Sequence, residues 1–127
     1  MKALLDTHAF LWFLAGDARL SRKARETIER DDAELFLSAA SVWEMAIKAS
    51  LDRLSLPTTV ANYVTEKLQE GFQIMPIEWE HAAAVQALPF HHRDPFDRLL
   101  VVQAAQERMP IITGDPIFRA YGSDIIW

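Results

Sequence analysis

The sequence contains no cysteine, which removes disulfides, thiolate nucleophiles and cysteine-ligated zinc together and fits a reducing compartment. Any metal must therefore be held through oxygen or imidazole. Only four glycines and six prolines occur among 127 residues, scattered as punctuation and never gathered into a linker. Length alone matches one domain with one core, so residues 1–127 are expected to form a single unit. No apolar run is long enough for a membrane span. The apolar opening as far as Ala15 is interrupted by Asp6 and His8 and preceded by one basic residue, unlike a secretory signal; a cytoplasmic chain with no membrane partner is expected. Positive charge is scarce as well, with 13 Lys and Arg against 18 Asp and Glu and a net charge of -5. That balance argues against simple adhesion to nucleic acid, so a polyanionic partner needs a local basic patch or a bridging cation.

What is present is apolar mass: half the residues are hydrophobic and 24% are charged, a composition that folds around a core. Short apolar runs at Lys2 to Leu5, Leu35 to Leu37, Gln73 to Ile77, Ile111 to Thr113 and Asp124 to Trp127 are expected as strands. Helical patterns lie between them, over Thr7 to Leu14, Ser21 to Asp31, Ser41 to Leu51, Thr58 to Glu70, Trp79 to Leu88 and Pro95 to Arg108. Strands alternating with helices predict an α/β fold, a three-layer α/β/α sandwich around a mostly parallel sheet of about five strands. Leu99 to Ala105 is apolar almost all round and is expected against the core.

In such sheets the functional crevice lies beyond the carboxyl ends of the strands. Asp6 follows the first strand directly, and Asp115 follows the fourth after Gly114. Glu44 falls in the first turn of the expected helix after the second strand, and Asp97 in the first turn of the helix leading into the fourth. Carboxylates converging there repel one another, and burial adds to the cost of their charge, so the cluster calls for a cation. Hard oxygen ligands without sulfur favour Mg²⁺ or Mn²⁺, the ions of metal-assisted phosphodiester hydrolysis. Plainer roles stay open for three of the four. Ser41 and Glu44 have the spacing of a capping box, Asp94-Pro95-Phe96-Asp97 is a good helix start, and Asp115-Pro116 suits a turn. Asp6 is the hardest to explain away, because a carboxylate ending a buried strand is expensive unless something pairs with it.

The segments Leu4-Leu5-Asp6-Thr7-His8, Ser38-Ala39-Ala40-Ser41-Val42-Trp43-Glu44, His91-His92-Arg93-Asp94-Pro95-Phe96-Asp97-Arg98-Leu99-Leu100 and Thr113-Gly114-Asp115 together resemble the PIN-domain ribonucleases. More narrowly they resemble the VapC toxins of bacterial toxin–antitoxin pairs, in the right order and over essentially the whole chain. The resemblance implies a PIN-like fold, Mg²⁺- or Mn²⁺-dependent endonucleolytic cleavage of RNA, a homodimer, and a cognate VapB-like antitoxin that blocks the site. Carried over by position, it makes Asp6, Glu44 and Asp97 the principal acids and Asp115 the acidic position after the last core strand. Asp94 shares a helix face with Asp97. The apolar run after Asp97 fits the family's helix better, so Asp97 is expected as the ligand and Asp94 as the cap. Many relatives carry a further acid three residues beyond Asp115, where this chain has Phe118.

The hydroxyls of Thr7, Ser38 and Thr113 fall near strand ends and are candidates to orient carboxylates or a metal-held water, with local capping as the plainer role. His92, Arg93 and Arg98 lie beside the acids and are candidates to contact RNA, although pairing of the arginines with carboxylates would look the same in sequence. Arg19, Arg22, Lys23 and Arg25 form the dense basic cluster, expected as a solvated helix face. Trp12, Phe13, Trp43, Trp79 and Phe96 are expected in the core or at an interface. A catalytically weak module of the same fold that binds RNA or protein is the alternative function. Loss of catalysis would ordinarily remove an acid, and all four are present. A phosphatase is a poorer fit, since Asp6-Thr7-His8 lacks the second Asp of that pattern.

Overall fold

The computed structural model describes residues 1–127. The elements follow as β1 (Lys2–Leu5), α1 (Thr7–Ala15), α2 (Arg22–Ile28), β2 (Glu34–Ser38), α3 (Ala39–Ser50) and α4 (Val60–Gln69). Then come β3 (Gln73–Met75), α5 (Trp79–Ala84) with a 3-10 turn over Val85–Ala87, α6 (Pro95–Glu107), β4 (Ile111–Ile112), α7 (Ile117–Ala120) and β5 (Ile125–Ile126). The five strands make one sheet in the order β3-β2-β1-β4-β5, and every pairing is parallel. The expected α/β/α sandwich is therefore present, with its sheet wholly parallel.

Strand side chains alternate between two apolar layers, as the period of two requires. Ala3, Leu5, Leu35, Leu37 and Ile112 join Phe10 of α1, Ala24 of α2, Met45 of α3 and Val64 of α4 in one core. Leu4, Met75 and Ile111 face the opposite way and join Leu100, Val101 and Ala104 of α6 and Phe118 of α7 in the other. The sheet is covered on both faces, which is why its strands read as continuous apolar runs. No helix is long and apolar enough to cross a membrane.

Four differences from the sequence reading have local causes. Helix α3 begins at Ala39, directly after β2, because the Ser38 hydroxyl accepts from the Ala40 N–H at 3.0 Å; Glu44 consequently sits in the second turn, where no capping box with Ser41 forms. Strand β3 stops at Met75 because Pro76 has no N–H for the ladder. The stretch expected as one helix from Trp79 to Leu88 tightens to a 3-10 turn after Ala84. The four-residue α7 is too short to give a periodic signal. Trp12 and Phe13 pack on the core, but Trp43 and Trp79 are 61% and 76% exposed and are not core residues.

Ser38 binds two layers together. Its fully buried hydroxyl donates to Gln103 Oε1 of α6 at 2.5 Å, and Gln103 Nε2 donates onward to the Pro76 carbonyl at 3.2 Å. Replacing Ser38 by Ala removes the cap of α3 and leaves the Gln103 amide oxygen buried without its donor. The expected loss is about 2 kcal/mol in urea denaturation, and a loss below about 0.5 kcal/mol would show that the link carries no stability.

Candidate active site

All five strands end at one edge, and the chain departs from β1 and β4 toward opposite sides of the sheet, which opens a crevice between their carboxyl ends. Asp6 stands at the end of β1 with extended backbone (φ -73°, ψ 164°) and caps α1, accepting from the Ala9 N–H at 2.6 Å. Its other oxygen accepts from the Thr113 hydroxyl at the end of β4, also at 2.6 Å. Both oxygens are thus fixed across the crevice. Asp6 is 5% exposed. Burial raises its carboxyl above the ordinary value, against the Thr113 and Ala9 hydrogen bonds that favour the charged form, and nearby Asp115 adds to the rise.

Glu44 reaches the same edge from α3 and is 3% exposed. The Thr7 hydroxyl donates to Glu44 Oε1 at 2.7 Å and also lies 2.9 Å from Ser41 Oγ. Lys48, one helical turn further along α3, donates to Glu44 Oε2 at 2.7 Å. Lys48 is a site residue that the sequence analysis missed. The Glu44–Lys48 spacing of four, which places both on one helix face, was the signal available.

Asp97 lies in the first turn of α6, where Asp94 is the cap: Asp94 Oδ1 accepts from the Phe96 N–H at 2.9 Å and the Asp97 N–H at 3.4 Å. Burial pushes the Asp97 carboxyl up to about 7, and the charges of Asp94, Asp6 and Glu44 push the same way. His92 opposes this from 2.9 Å at Asp97 Oδ2. Asp97 is therefore within electrostatic reach of all three acids. Asp115 accepts from the Ile117 N–H at 3.0 Å and, with Asp6, lines a cleft of about 460 Å³ that His8, Trp12, Arg19, Gly114 and Trp127 complete.

The remaining candidates separate. Thr7 and Thr113 donate to carboxylates of the site, whereas Ser38 donates to Gln103 and touches none of them. Arg93 is exposed on the loop before α6. Arg98 is 7% exposed and spends its guanidinium inside the molecule, on the carbonyls of Pro89, Leu88 and Val85 and on Tyr121 Oη at 2.9 to 3.4 Å, over the face of Phe90. It pairs with no carboxylate and is not placed to touch a substrate. The Tyr121 hydroxyl also accepts from the backbone N–H groups of His91 and His92, so Arg98 and Tyr121 together hold the loop that presents His92 to Asp97. Phe118 is buried among Leu100, Val101 and Ala104 of α6.

The donor set fits a hard divalent cation, since carboxylate oxygens dominate it and sulfur is absent. The group whose ligand atoms lie within 4.8 Å of one another is His92, Asp94 and Asp97; Asp6, Glu44 and Asp115 stand outside it.

Comparison with known proteins bears on the family and the fold. The family model described as PIN domain matches residues 3–123. The chain is 34% identical over 119 residues to Ribonuclease VapC22 of Mycobacterium tuberculosis, covering 93% of this chain and 90% of that protein. Among solved structures it superposes on VapBC2 of Rickettsia felis bound to a promoter DNA fragment with TM-score 0.72 at 12% identity, over 98% of this chain and 97% of that one. FitAcB of Neisseria gonorrhoeae gives TM-score 0.67 at 20% identity over 97% and 95% of the two chains.

Asp97 carries a pH prediction. Its native carboxyl titrates at about 7 rather than near 3.8, so between those values the native state binds more protons than the unfolded chain and metal-free stability falls as pH rises. In chelator, chemical denaturation from pH 4 to 7.5 should show Asp97→Asn losing this component of the slope and gaining stability over wild type at pH 7.5. Parallel curves for the two proteins would show that the acids are not in tension.

Proposed function

The chain belongs to the PIN-domain family, and from that premise we propose that it hydrolyses RNA phosphodiester bonds as the toxin of a toxin–antitoxin pair. The observation that carries the proposal is the meeting of Asp6, Glu44 and Asp97 at one strand edge, with Asp97 held at about 7 by burial and by the neighbouring carboxylates. Asp6 and Asp97 are the direct ligands, with Glu44 and Asp115 completing the acidic set and residues 1–127 acting as one nuclease domain. Mg²⁺ or Mn²⁺, when bound there, supplies a water of lowered pKa for attack at phosphorus and stabilises charge on the departing oxygen.

The chain's own groups do the positioning. Thr113 and the Ala9 amide hold Asp6 from both sides, and Thr7 and Lys48 hold both oxygens of Glu44. His92, hydrogen-bonded to Asp97, favours its charged form when the imidazole carries the proton on that nitrogen. Arg93 and His92 meet the RNA backbone at the loop before α6. The name VapC22 and the VapBC and FitAcB neighbours support a VapB-like antitoxin as partner. An acidic site of this kind is best blocked by a cation, so the antitoxin inserts an Arg or Lys over Asp6 and Asp97. Action on cellular RNA sets the working compartment as the cytoplasm, and the active form is a homodimer.

Purified chain incubated with mixed RNA should cut it with Mg²⁺ or Mn²⁺ and cease in chelator, and Asp6→Asn, which removes charge while keeping shape, should fall to background. Expression alone should arrest growth, Glu44→Gln at matched protein level should not, and the small protein encoded beside it should restore growth. Full cleavage by Asp6→Asn would sink the proposed centre. Equal harmlessness of wild type and Glu44→Gln would remove the toxin assignment and favour a binding module.

A further inference from the structure

A second depression adjoins the acidic cleft. It encloses about 600 Å³ between α1, the loop carrying Arg19, the end of α3 with residues 53–57, and α4. His8, Trp12 and Arg19 line both hollows, so the two are continuous. Four cations line the larger one, Arg19, Lys48, Arg53 and Lys67, against one carboxylate, Asp17. In a chain with net charge -5 this is a local concentration of positive charge, of the kind that a polyanion requires.

Two of these charges lie over aromatic rings. The Arg19 guanidinium lies 4.7 Å from the ring of Trp12, and the Lys67 ammonium lies 5.5 Å from the ring of Tyr63. Arg53 is set by the end of α3: Asp52 takes the left-handed conformation (φ 57°), its N–H reaches the Ala49 carbonyl at 3.2 Å, and the Arg53 N–H reaches the Lys48 carbonyl at 2.8 Å. These paired bonds close the helix and fix where Arg53 leaves it. Arg53 forms no ion pair and Lys67 meets only exposed Glu70, at 3.3 Å, whereas Arg19 is held by both oxygens of Asp17 and marks the fixed end of the groove.

We propose that this groove is the track along which single-stranded RNA reaches the acids, its phosphates on Arg53 and Lys67 and its bases against Tyr63 and Trp12, passing Arg19 into the cleft over Asp6, while Lys48 stays on Glu44. The proposal rests on the ribonuclease assignment and adds the path of the substrate. A single strand offers phosphates and base faces, and the groove offers cations and two rings to meet them. Leu11, Leu14, Leu54 and Leu56 line the groove as well, and it is the balance of four cations to one carboxylate that favours a polyanion over an apolar segment.

The test uses Asp6→Asn chain, which does not cut, and a fluorescent RNA of about twelve nucleotides, with affinity followed by anisotropy from low to high salt. Arg53→Ala and Lys67→Ala are each expected to weaken binding about three- to tenfold at low salt, and the double variant to flatten the slope of log affinity against log salt by about 1.4. Tyr63→Leu should weaken binding at every salt concentration and leave the slope unchanged. Arg119→Ala, on α7 outside the groove, should bind as the parent does. Unchanged affinity and slope in the double variant overturns the track, even where the wild type still cuts RNA. If those variants bind RNA normally but escape inhibition by the antitoxin, a protein segment occupies the groove and the proposal is overturned. Should wild type neither bind nor cut RNA with Mg²⁺ or Mn²⁺ present, the ribonuclease assignment itself falls and the track falls with it.

Discussion

Mutual repulsion among carboxylates at one edge of a parallel sheet is the constraint to which the rest of the molecule answers. Several acids in a half-buried crevice would swing apart or take up protons if left free. The structure prevents the first and accepts part of the second. Asp6 is tied across the crevice between Ala9 and Thr113, and Glu44 between Thr7 and Lys48. Asp97 is met by His92 alone, and it is the acid whose carboxyl rises to about 7. Burial is the first cause of that rise, with the charges of Asp94, Asp6 and Glu44 adding to it, and burial raises Asp6 too despite its two hydrogen bonds.

That restraint comes from three separated parts of the chain, and the topology is what brings them together. Helices that connect parallel strands run back against the strand direction, so α1, α3 and α6 all start at the edge where the strands finish. Asp6 is the cap of α1, Asp94 is the cap of α6, and Asp97 follows in its first turn. Negative charge is favourable at a helix N-terminus, so the helix starts offset part of the repulsion that the cluster creates. Capping and site chemistry are therefore joint roles of the same carboxylates, and a plain cap is no argument against a functional one.

Legibility in the sequence followed the range of the interaction responsible. The first strand, the Asp6 that ends it, and the helix start at Asp94-Pro95 rest on a few consecutive residues and could be read directly. The start of α3 was misplaced by two residues, because whether Ser38 or Ser41 caps depends on where β2 ends, and that is set by its neighbours in the sheet. Arg98 was misread for a related reason. Its position beside Asp97 suggests contact with an anion, but its partners are carbonyls of residues 85, 88 and 89 and the hydroxyl of Tyr121, which only the folded chain brings to it. Gln103 lies within the run Leu99 to Ala105 that reads as apolar almost all round, and its amide links Ser38 to Pro76.

Net charge misleads most where function is concerned. A total of -5 describes an average over a surface on which acids gather at the strand edge and basic residues gather in the groove beside it. Lys48 belongs to both, lining the groove while bonded to Glu44, so the positive and negative regions meet within one ion pair rather than across empty surface. A polyanion repelled by the chain as a whole still finds a path, because at an ionic strength near 0.15 M charges more than about 8 Å away are largely screened and the local lining decides the encounter. The acids at the strand edge and the cations of the groove thus act as separate local fields joined at Lys48, and neither is described by the total charge.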